Sequence, residues 1–482
     1  MLNNPDPRLI NEDLSPTPES GRTWSVKHMA SLWIGMVVCV PTYMLAGGLI
    51  AVGMSAWQAI GTVFLGNLIV LIPMMLNGHG GTKYGLPFPV LARASFGVKG
   101  ANIPSLLRGL VACGWFGIQT WIGGSAIFQL INVVTENSLV GEALPLLGIS
   151  AGQFGCFLLF WAVQVAIIWR GIDSIKVLEE IAAPLLIAAG FLLLWWAYES
   201  AGGFGDVFSK PSQFETTGEF LAVFIPSLTA MVGFWATLSL NIPDFTRYAA
   251  SQRDQVMGQA IGLPLFMTLF AFIGVAVTAA TPQIFGVTEP ISDPVAMLGY
   301  MGSGVTVIVA LIVLTIATLS TNIAANVVAP ANALINSAPD KINFRLGAMV
   351  TAGLGVVIMP WKLMESAGAY IFVWLGGYST LLGPIAGILI VDYFLVRKTK
   401  LNVNDLYQFE GVYTYNKGYN YVAILALLVG CLPCLPGFLA AAGVLESTSP
   451  FLSSLYQYGW FFGFFVGGGL YLTLMPKVKE HS

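Results

Sequence analysis

Two stretches of this sequence hold residues suited to recognising a small molecule. The first is Cys113-Gly-Trp-Phe-Gly-Ile-Gln-Thr-Trp121. Trp115 and Gln119 are four apart, so on a helix they share one face. A glutamine amide offers two donors and an acceptor. That complements the alternating N–H and C=O edge of a cyclic amide or ureide, while the indole face can stack on a flat ring. The competing reading is a glutamine bonded to a neighbouring helix beside a tryptophan that only packs. The second stretch is Thr315-Ile-Ala-Thr-Leu-Ser-Thr-Asn-Ile-Ala-Ala-Asn326. Ala317, Ser320 and Thr321 fall on one stripe at spacings of three and four, and Asn322 and Asn326 share the adjacent one. Ser and Thr often bond back to their own helix, and small residues let helices approach. The polar residues here are too many for that alone. Two neighbouring hydroxyls with free carbonyls suit a hard cation, which prefers oxygen ligands. The two amides suit the same neutral solute as Gln119.

Two further stretches matter for their backbone. Ser31-Leu-Trp-Ile-Gly-Met-Val-Val-Cys-Val-Pro-Thr42 contains Gly35 and Pro41, with Gly47 and Gly48 beyond. Pro226 to Tyr248 has Gly233 near its centre and prolines at 226 and 243. Proline removes an intrahelical bond and clashes with the preceding turn. Two apolar segments broken in this way, five segments apart, are the mark of a transporter whose site forms where both helices open. The plainer alternative is a pair of ordinary proline kinks.

Such residues need a frame, and the composition names its kind. The chain has 482 residues, of which only 9% are charged and 56% are apolar; mean hydropathy is +0.77. A soluble domain carries about 25% charge, because a folded surface must face water with polar atoms. A soluble enzyme, a disordered scaffold and a nucleic-acid binder are excluded, the last because a net charge of −3 leaves no basic footprint. The expected class is an all-α polytopic membrane protein. Crossing a bilayer takes ~20 apolar residues. Twelve stretches qualify, at roughly 29–53, 57–78, 104–133, 151–169, 175–198, 220–245, 257–280, 303–330, 346–361, 367–395, 420–443 and 457–475.

Lys and Arg in the flanking loops set orientation. Twelve spans place Arg8, Arg22, Lys27, Lys83, Arg93, Lys99, Arg108, Arg170, Lys176, Arg247 and Arg253 on one side. Lys341, Arg345, Arg397, Lys398, Lys400, Lys417, Lys477 and Lys479 join them. Only Lys210 and Lys362 fall on the other. Both termini are therefore expected in the cytoplasm, in a bacterial inner (plasma) membrane. The first 28 residues have no apolar run of the kind a cleaved signal peptide needs.

Charge in the middle of a span marks an ion pathway, and here it is nearly missing. Glu179, Glu180, Asp244, Arg247 and Asp392 sit near the expected cytoplasmic ends, and His28, His79 and His481 lie outside or at edges. No HExxH, nucleotide-binding loop or buried carboxylate pair is seen. An intramembrane protease, an ATP-driven pump and a carboxylate proton relay lose their chemistry. Of the five cysteines, Cys431 and Cys434 form a CxxC within an apolar segment. Without a histidine or second pair it reads as helix packing rather than a metal or redox site.

At these residues the sequence resembles the nucleobase–cation symporters, the family of cytosine, uracil, thiamine, allantoin and hydantoin permeases. The likeness runs from Asn11-Glu-Asp-Leu14 through Trp33 to Asp392-Tyr-Phe-Leu-Val-Arg397 and Asp405-Leu-Tyr407. Its most specific pieces are Trp115-Phe-Gly-Ile-Gln-Thr-Trp121, Asn241-Ile-Pro-Asp-Phe-Thr-Arg247 and Ser320-Thr-Asn-Ile-Ala-Ala-Asn326. Gly80-Gly-Thr-Lys-Tyr-Gly-Leu-Pro-Phe-Pro89 is most similar to the allantoin-permease branch.

The resemblance implies a five-plus-five inverted repeat of the leucine-transporter type with two extra C-terminal helices, working by alternating access. The parts would be a cytoplasmic segment (1–28), repeats at 29–198 and 220–395, a cytoplasmic loop (396–419), spans 11 and 12 (420–475) and a tail (476–482). It implies that Trp115 and Trp235 sandwich the substrate ring, and that Gln119 and Asn326 read its edge. It implies a sodium site made of the Gly35, Val38 and Ala317 carbonyls with the Ser320 and Thr321 hydroxyls. Span 10, around Ala369 to Leu381, would be a thin extracellular gate. Two positions depart from the family pattern. Cys39 stands where an amide side chain is common, and Phe234 where the hydantoin branch has a smaller residue.

The resulting expectation is a cation-coupled symporter of a neutral planar heterocycle: allantoin, uracil or thymine, or hydantoin. Sodium is the expected coupling ion, with the proton as alternative. No enzyme activity, covalent cofactor, nucleic acid or obligate protein partner is expected; the partners are the solute, the cation and the bilayer. Two rivals stand beside it: a same-fold carrier of a quaternary ammonium held by cation–π contacts, and a membrane sensor or channel that binds without transporting.

Overall fold

The computed structural model describes residues 2–170 and 173–476, without the side chains at 173–183 and 324. The expected tail beyond Pro476, and the side chains of Lys176, Glu179 and Glu180, lie outside the described residues. The chain is helical throughout. The helices that matter here are α1 (Val26–Val37), α2 (Val40–Ala51), α3 (Ala56–Tyr84), α4 (Phe88–Phe96), α5 (Asn102–Val134) and α6 (Ala151–Arg170). After them come α7 (Asp173–Ser200), α8 (Thr217–Phe234), α9 (Ala236–Asn241), α10 (Gln252–Phe285), α11 (Val305–Asn326) and α12 (Val328–Ser337). The last are α13 (Phe344–Val357), α14 (Ala369–Val396), α15 (Tyr421–Ala441) and α16 (Gly459–Leu474).

Among the described residues, eight helical stretches are long and apolar enough to cross a bilayer, and α1 with α2 adds a ninth as a bent pair. Shorter apolar helices occupy Pro184–Ser200, Phe344–Val357 and Gly459–Leu474. The outer surface is studded with large apolar side chains, including Trp57, Ile72, Leu159, Trp195, Leu265 and Phe465. In water so wide an apolar surface is a liability; against lipid tails it is the required exterior. Helix length and an apolar exterior are those of a multi-pass membrane protein. Helix ends differ from the expected spans by a few residues. Span 2 runs on to Tyr84 and span 7 extends to Gln252–Phe285, while at span 9 α13 stops at Val357 and a separate turn, Pro360–Leu363, follows.

Both expected breaks are present. The chain bends by 58° between α1 and α2. Cys39 there is extended (φ −147°, ψ 159°), and Pro41 lies in the first turn of α2. That is a position where a missing N–H costs nothing. The second break is at Trp235 (φ −102°, ψ 3°), between α8 and α9. Gly233 just before it lies so close to Ser379 of α14 that any Cβ would collide with the Ser379 hydroxyl. A third break, at Val327, parts α11 from α12. Inside the bundle α1 and α3 pack on α10, α5 packs on α11, and α14 packs on α16.

The segment before α1 is not a loose tail. Asp6 N donates to Tyr407 O (2.9 Å), and Tyr407 Oη donates to Leu14 O (2.6 Å). Arg247 Nε donates to Thr17 Oγ1 at 2.7 Å, and its two other nitrogens donate to Asp13 O and Ser15 O. Leu9, Leu14, Leu86, Val90, Leu406, Tyr407 and Tyr413 form an apolar core of their own. Arg93, fully buried beside it, donates to Leu406 O and Asn336 Oδ1. Burial lowers its guanidinium to about 10, still charged at neutral pH. The described part of the expected polar segment, residues 2–28, and the expected loop, 396–419, thus form a docked cap.

Candidate functional site

The broken helices meet at one small shared cavity. The α1–α2 break contributes Met36, Cys39 and Pro41, and α5 contributes Trp115 and Gln119. Phe234, Trp235 and Thr237 enter from the α8–α9 break, and Thr321 and Asn326 from the end of α11. Seven residues expected at the site therefore share one cavity: Cys39, Trp115, Gln119, Phe234, Trp235, Thr321 and Asn326. A continuous helix turns its side chains round an axis and satisfies its own backbone. Breaking two helices at one depth frees both backbone and side chains toward a common point.

Aromatic rings form most of the wall. Phe234 stands edge-on to Trp115 (5.2 Å between centroids, 74°) and to Trp235 (4.9 Å, 79°). It thus bridges the two tryptophans expected to sandwich a ring. Trp33 meets Trp235 edge-on at 5.2 Å from behind. Tyr370 and Trp374 of α14 approach Trp115 at 6.2 and 6.0 Å. Such edge-to-face contacts favour one orientation for each ring. Tyr370 Oη also donates to Pro41 O (3.2 Å), which ties the expected gate to the break in the first span.

The amides divide into two roles. Gln119 is 5% exposed, and its Oε1 has no hydrogen-bond partner among the described residues. A buried amide oxygen left alone is costly, and Gln119 is one of the residues that line the cavity. Asn326 also lines the cavity. Asn322, expected beside them, does not line it; its Nδ2 donates to Phe116 O (3.0 Å) and to Gln164 Oε1 (2.7 Å). Its Oδ1 accepts from Asn326 Nδ2 (2.9 Å). Asn322 stands behind Asn326 rather than toward the cavity.

The expected cation ligands sit where α1 packs on α11. In an unbroken helix the Cys39 amide would reach Gly35 O and the Thr42 amide Val38 O. Instead Cys39 N donates to Val37 O (2.9 Å) and Thr42 N to Cys39 O (3.2 Å). The two carbonyls named from the resemblance are thus among those that the break frees from their helical donors. Ala317 and Ser320 are buried, and the Thr321 hydroxyl donates to Ala317 O at 3.0 Å, leaving its oxygen lone pairs free. Among the described residues no cluster of three His, Cys, Asp or Glu could hold a metal ion. Carbonyl and hydroxyl oxygens suit an alkali cation, not a transition metal.

Several contributors had no clear signal. Thr237 lies two residues past the break and lines the cavity. Tyr370 and Trp374 showed only as aromatic density in span 10. Gln164 of α6 joins the amide network from a helix that carried no candidate. Its one sequence signal was a lone amide in an apolar run. Cys431 and Cys434 form no disulfide, and their Sγ atoms each lie 3.4 Å from a backbone carbonyl, as packing would have it.

Comparison with known proteins places this geometry among relatives. The family model described as permease for cytosine/purines, uracil, thiamine and allantoin matches residues 16–463. The purine-uracil permease NCS1 of Arabidopsis thaliana is 51% identical over 475 residues, covering 98% of this chain and 79% of that protein. The allantoin permease of Bacillus subtilis (strain 168) is 43% identical over 469 residues, covering 97% of this chain and 93% of that one. Among solved structures, Mhp1 in its inward-facing conformation superposes with a TM-score of 0.79 at 26% identity, over 98% of this chain and 94% of that chain. Mhp1 closed around bromovinylhydantoin gives 0.75, also at 26% identity, over 96% of this chain and 95% of that one. The helical arrangement is that of Mhp1, the leucine-transporter type.

Proposed function

We propose, from the premise that the chain belongs to the family of permeases for cytosine and purines, uracil, thiamine and allantoin, that it imports a neutral planar heterocycle with sodium. It is a cation-coupled permease of nucleobase or ureide type, not an enzyme. The finer reading is a ring with cis-amide edges, held between Trp115 and Trp235 and read by Gln119 and Asn326. The relatives named for purines and uracil and for allantoin, and the bromovinylhydantoin in closed Mhp1, support that class. Allantoin, uracil or thymine, and hydantoin are the candidates.

One observation carries the reading most: a single cavity at two helix breaks joins both tryptophans to both amides. A quaternary ammonium would use the rings and leave Gln119 Oε1 buried and unpaired. The sodium assignment rests on the Gly35 and Val38 carbonyls released at the break, with Ala317, Ser320 and Thr321. Among the described residues no acidic side chain lines the cavity, which disfavours a proton as coupling ion. In this reading the cation favours the outward-open form, because only a difference in affinity between states can drive uptake. Twelve spans, a five-plus-five repeat with two added helices, cytoplasmic termini and a plasma-membrane location complete it. The charge asymmetry of the loops supports the orientation.

The test is uptake of labelled allantoin, uracil and hydantoin into proteoliposomes at fixed pH, with and without an inward sodium gradient. Sodium-driven accumulation of one of them is expected. Accumulation only with a proton gradient overturns the ion, and no accumulation of any overturns the substrate class.

A further inference from the structure

The hydrogen bonds behind Asn326 form a chain whose direction is set by one backbone oxygen. Thr120 Oγ1 lies 2.6 Å from Phe116 O. A carbonyl oxygen only accepts, so the single hydroxyl proton of Thr120 is committed to it. Asn322 Nδ2 lies 3.0 Å from the same oxygen and 3.3 Å from Thr120 Oγ1. Only the NH₂ end of Asn322 can stand there. Gln164 completes the ring: its Nε2 donates to Thr120 Oγ1 (2.9 Å), and its Oε1 accepts from Asn322 Nδ2 (2.7 Å). Reversing the Gln164 amide would set one NH₂ against another and an oxygen against an oxygen that has no proton left. With Asn322 so fixed, its Oδ1 faces Asn326, and the Asn326 atom 2.9 Å away must be Nδ2. Gln164, Thr120 and Asn322 are all fully buried. In such a site a fully satisfied network is rigid, and a partly satisfied one is costly.

We infer that Gln164, a helix away from the cavity, is a positioning residue that, together with the Phe116 carbonyl, holds the polarity of Asn326. Through Asn322 it spends one of the two Asn326 amide hydrogens and leaves the Asn326 carbonyl oxygen as an acceptor for the ligand. The site then selects rings that present an N–H donor at that edge. A ring with a methylated nitrogen there is rejected, because it leaves that acceptor unpaired. This rests on the proposed substrate reading and deepens it: the discrimination is made by a residue that touches no substrate.

The experiment uses the full chain in proteoliposomes with labelled uracil, allantoin or hydantoin, whichever the parent accumulates, competed by its mono-N-methylated forms. Failure of the parent to accumulate any of the three defeats the substrate reading and is seen before any variant is made. The parent is expected to favour the N–H form over at least one methylated form by about tenfold or more, the size of a lost hydrogen bond to a buried acceptor. Gln164→Met keeps the volume without the hydrogen bonds. It should raise KM for the N–H substrate and bring that ratio within about threefold, with the maximal rate per folded protein little changed. Loss of packing alone would lower the maximal rate and leave the ratio as it was. Thr120→Val, which removes the acceptor for Gln164 Nε2, should shift the ratio the same way and serves where Gln164→Met fails to fold. An unchanged ratio in the folded variants overturns the inference, as does a parent that never discriminates.

Discussion

Arg397 Nε lies 2.8 Å from Asp392 Oδ2, and both side chains are nearly sealed from the surroundings, at 8% and 1% exposure. The pair is fully supported. Ser95 and Tyr471 hydroxyls donate to the carboxylate, and Arg397 also donates to Ala94 O and Tyr415 Oη. It anchors the end of α14, the helix that carries Tyr370 and Trp374, to α4 and α16.

Breaking one side of such a pair leaves an uncompensated buried charge, which costs about 3–5 kcal/mol. Arg397→Met should therefore lower the thermal midpoint of the detergent-solubilised protein clearly. The double variant with Asp392→Leu should recover part of the loss, since coupled neighbours are not additive. Equal midpoints for parent and Arg397→Met would contradict this.

Gln119→Ala removes the unpartnered amide from the cavity wall. Uptake should fall by about 10- to 100-fold, the worth of about 1–3 kcal/mol, while folding yield stays close to the parent's. Unimpaired transport of the heterocycle by this variant would sink the edge-reading role.

Thr321→Ala deletes a hydroxyl whose proton is already spent on Ala317 O. Its effect should therefore concern the oxygen as a ligand. Substrate affinity should weaken chiefly in sodium buffer. Titrating substrate in sodium and in choline checks it, and an equal loss in both would remove the sodium assignment.

Phe234 bridges Trp115 and Trp235. Phe234→Ala should open room between them and admit bulkier 5-substituted hydantoins, measured as competition against the parent substrate. It should also weaken binding of the small substrate by about tenfold, since each aromatic pairing is worth about 0.5–1.5 kcal/mol. A variant with the parent's own ligand range would show that Phe234 does not shape the gap.

The sequence revealed this site in proportion to how local each signal was. Trp115 and Gln119 lie one helical turn apart, and Gly35 with Pro41 writes a break into the backbone itself. Those features follow from neighbours in the chain. Asn322 was misplaced toward the solute because helical spacing shows which residues share a stripe but not which helix the stripe faces. Its partners Phe116 and Gln164 are 206 and 158 residues away. Tyr370 fell within the expected gate, but its tie to Pro41 O could not be read for the same reason, since it reaches across the fold. The docking of residues 6–17 was missed because a polar, proline-rich stretch carries no periodic mark of the surface that receives it.

That docking has a consequence for how the protein is made. Leu14 and Tyr407, bonded in the finished fold, are 393 positions apart. Residues 6–17 leave the ribosome long before their receiving surface exists, and they must wait while α1 to α14 are threaded into the bilayer. The clasp closes only on a chain whose later helices have arrived in place. A chain that ends before Leu406 lacks this tie and the Leu406, Tyr407 and Tyr413 side chains that cover Leu9 and Leu14.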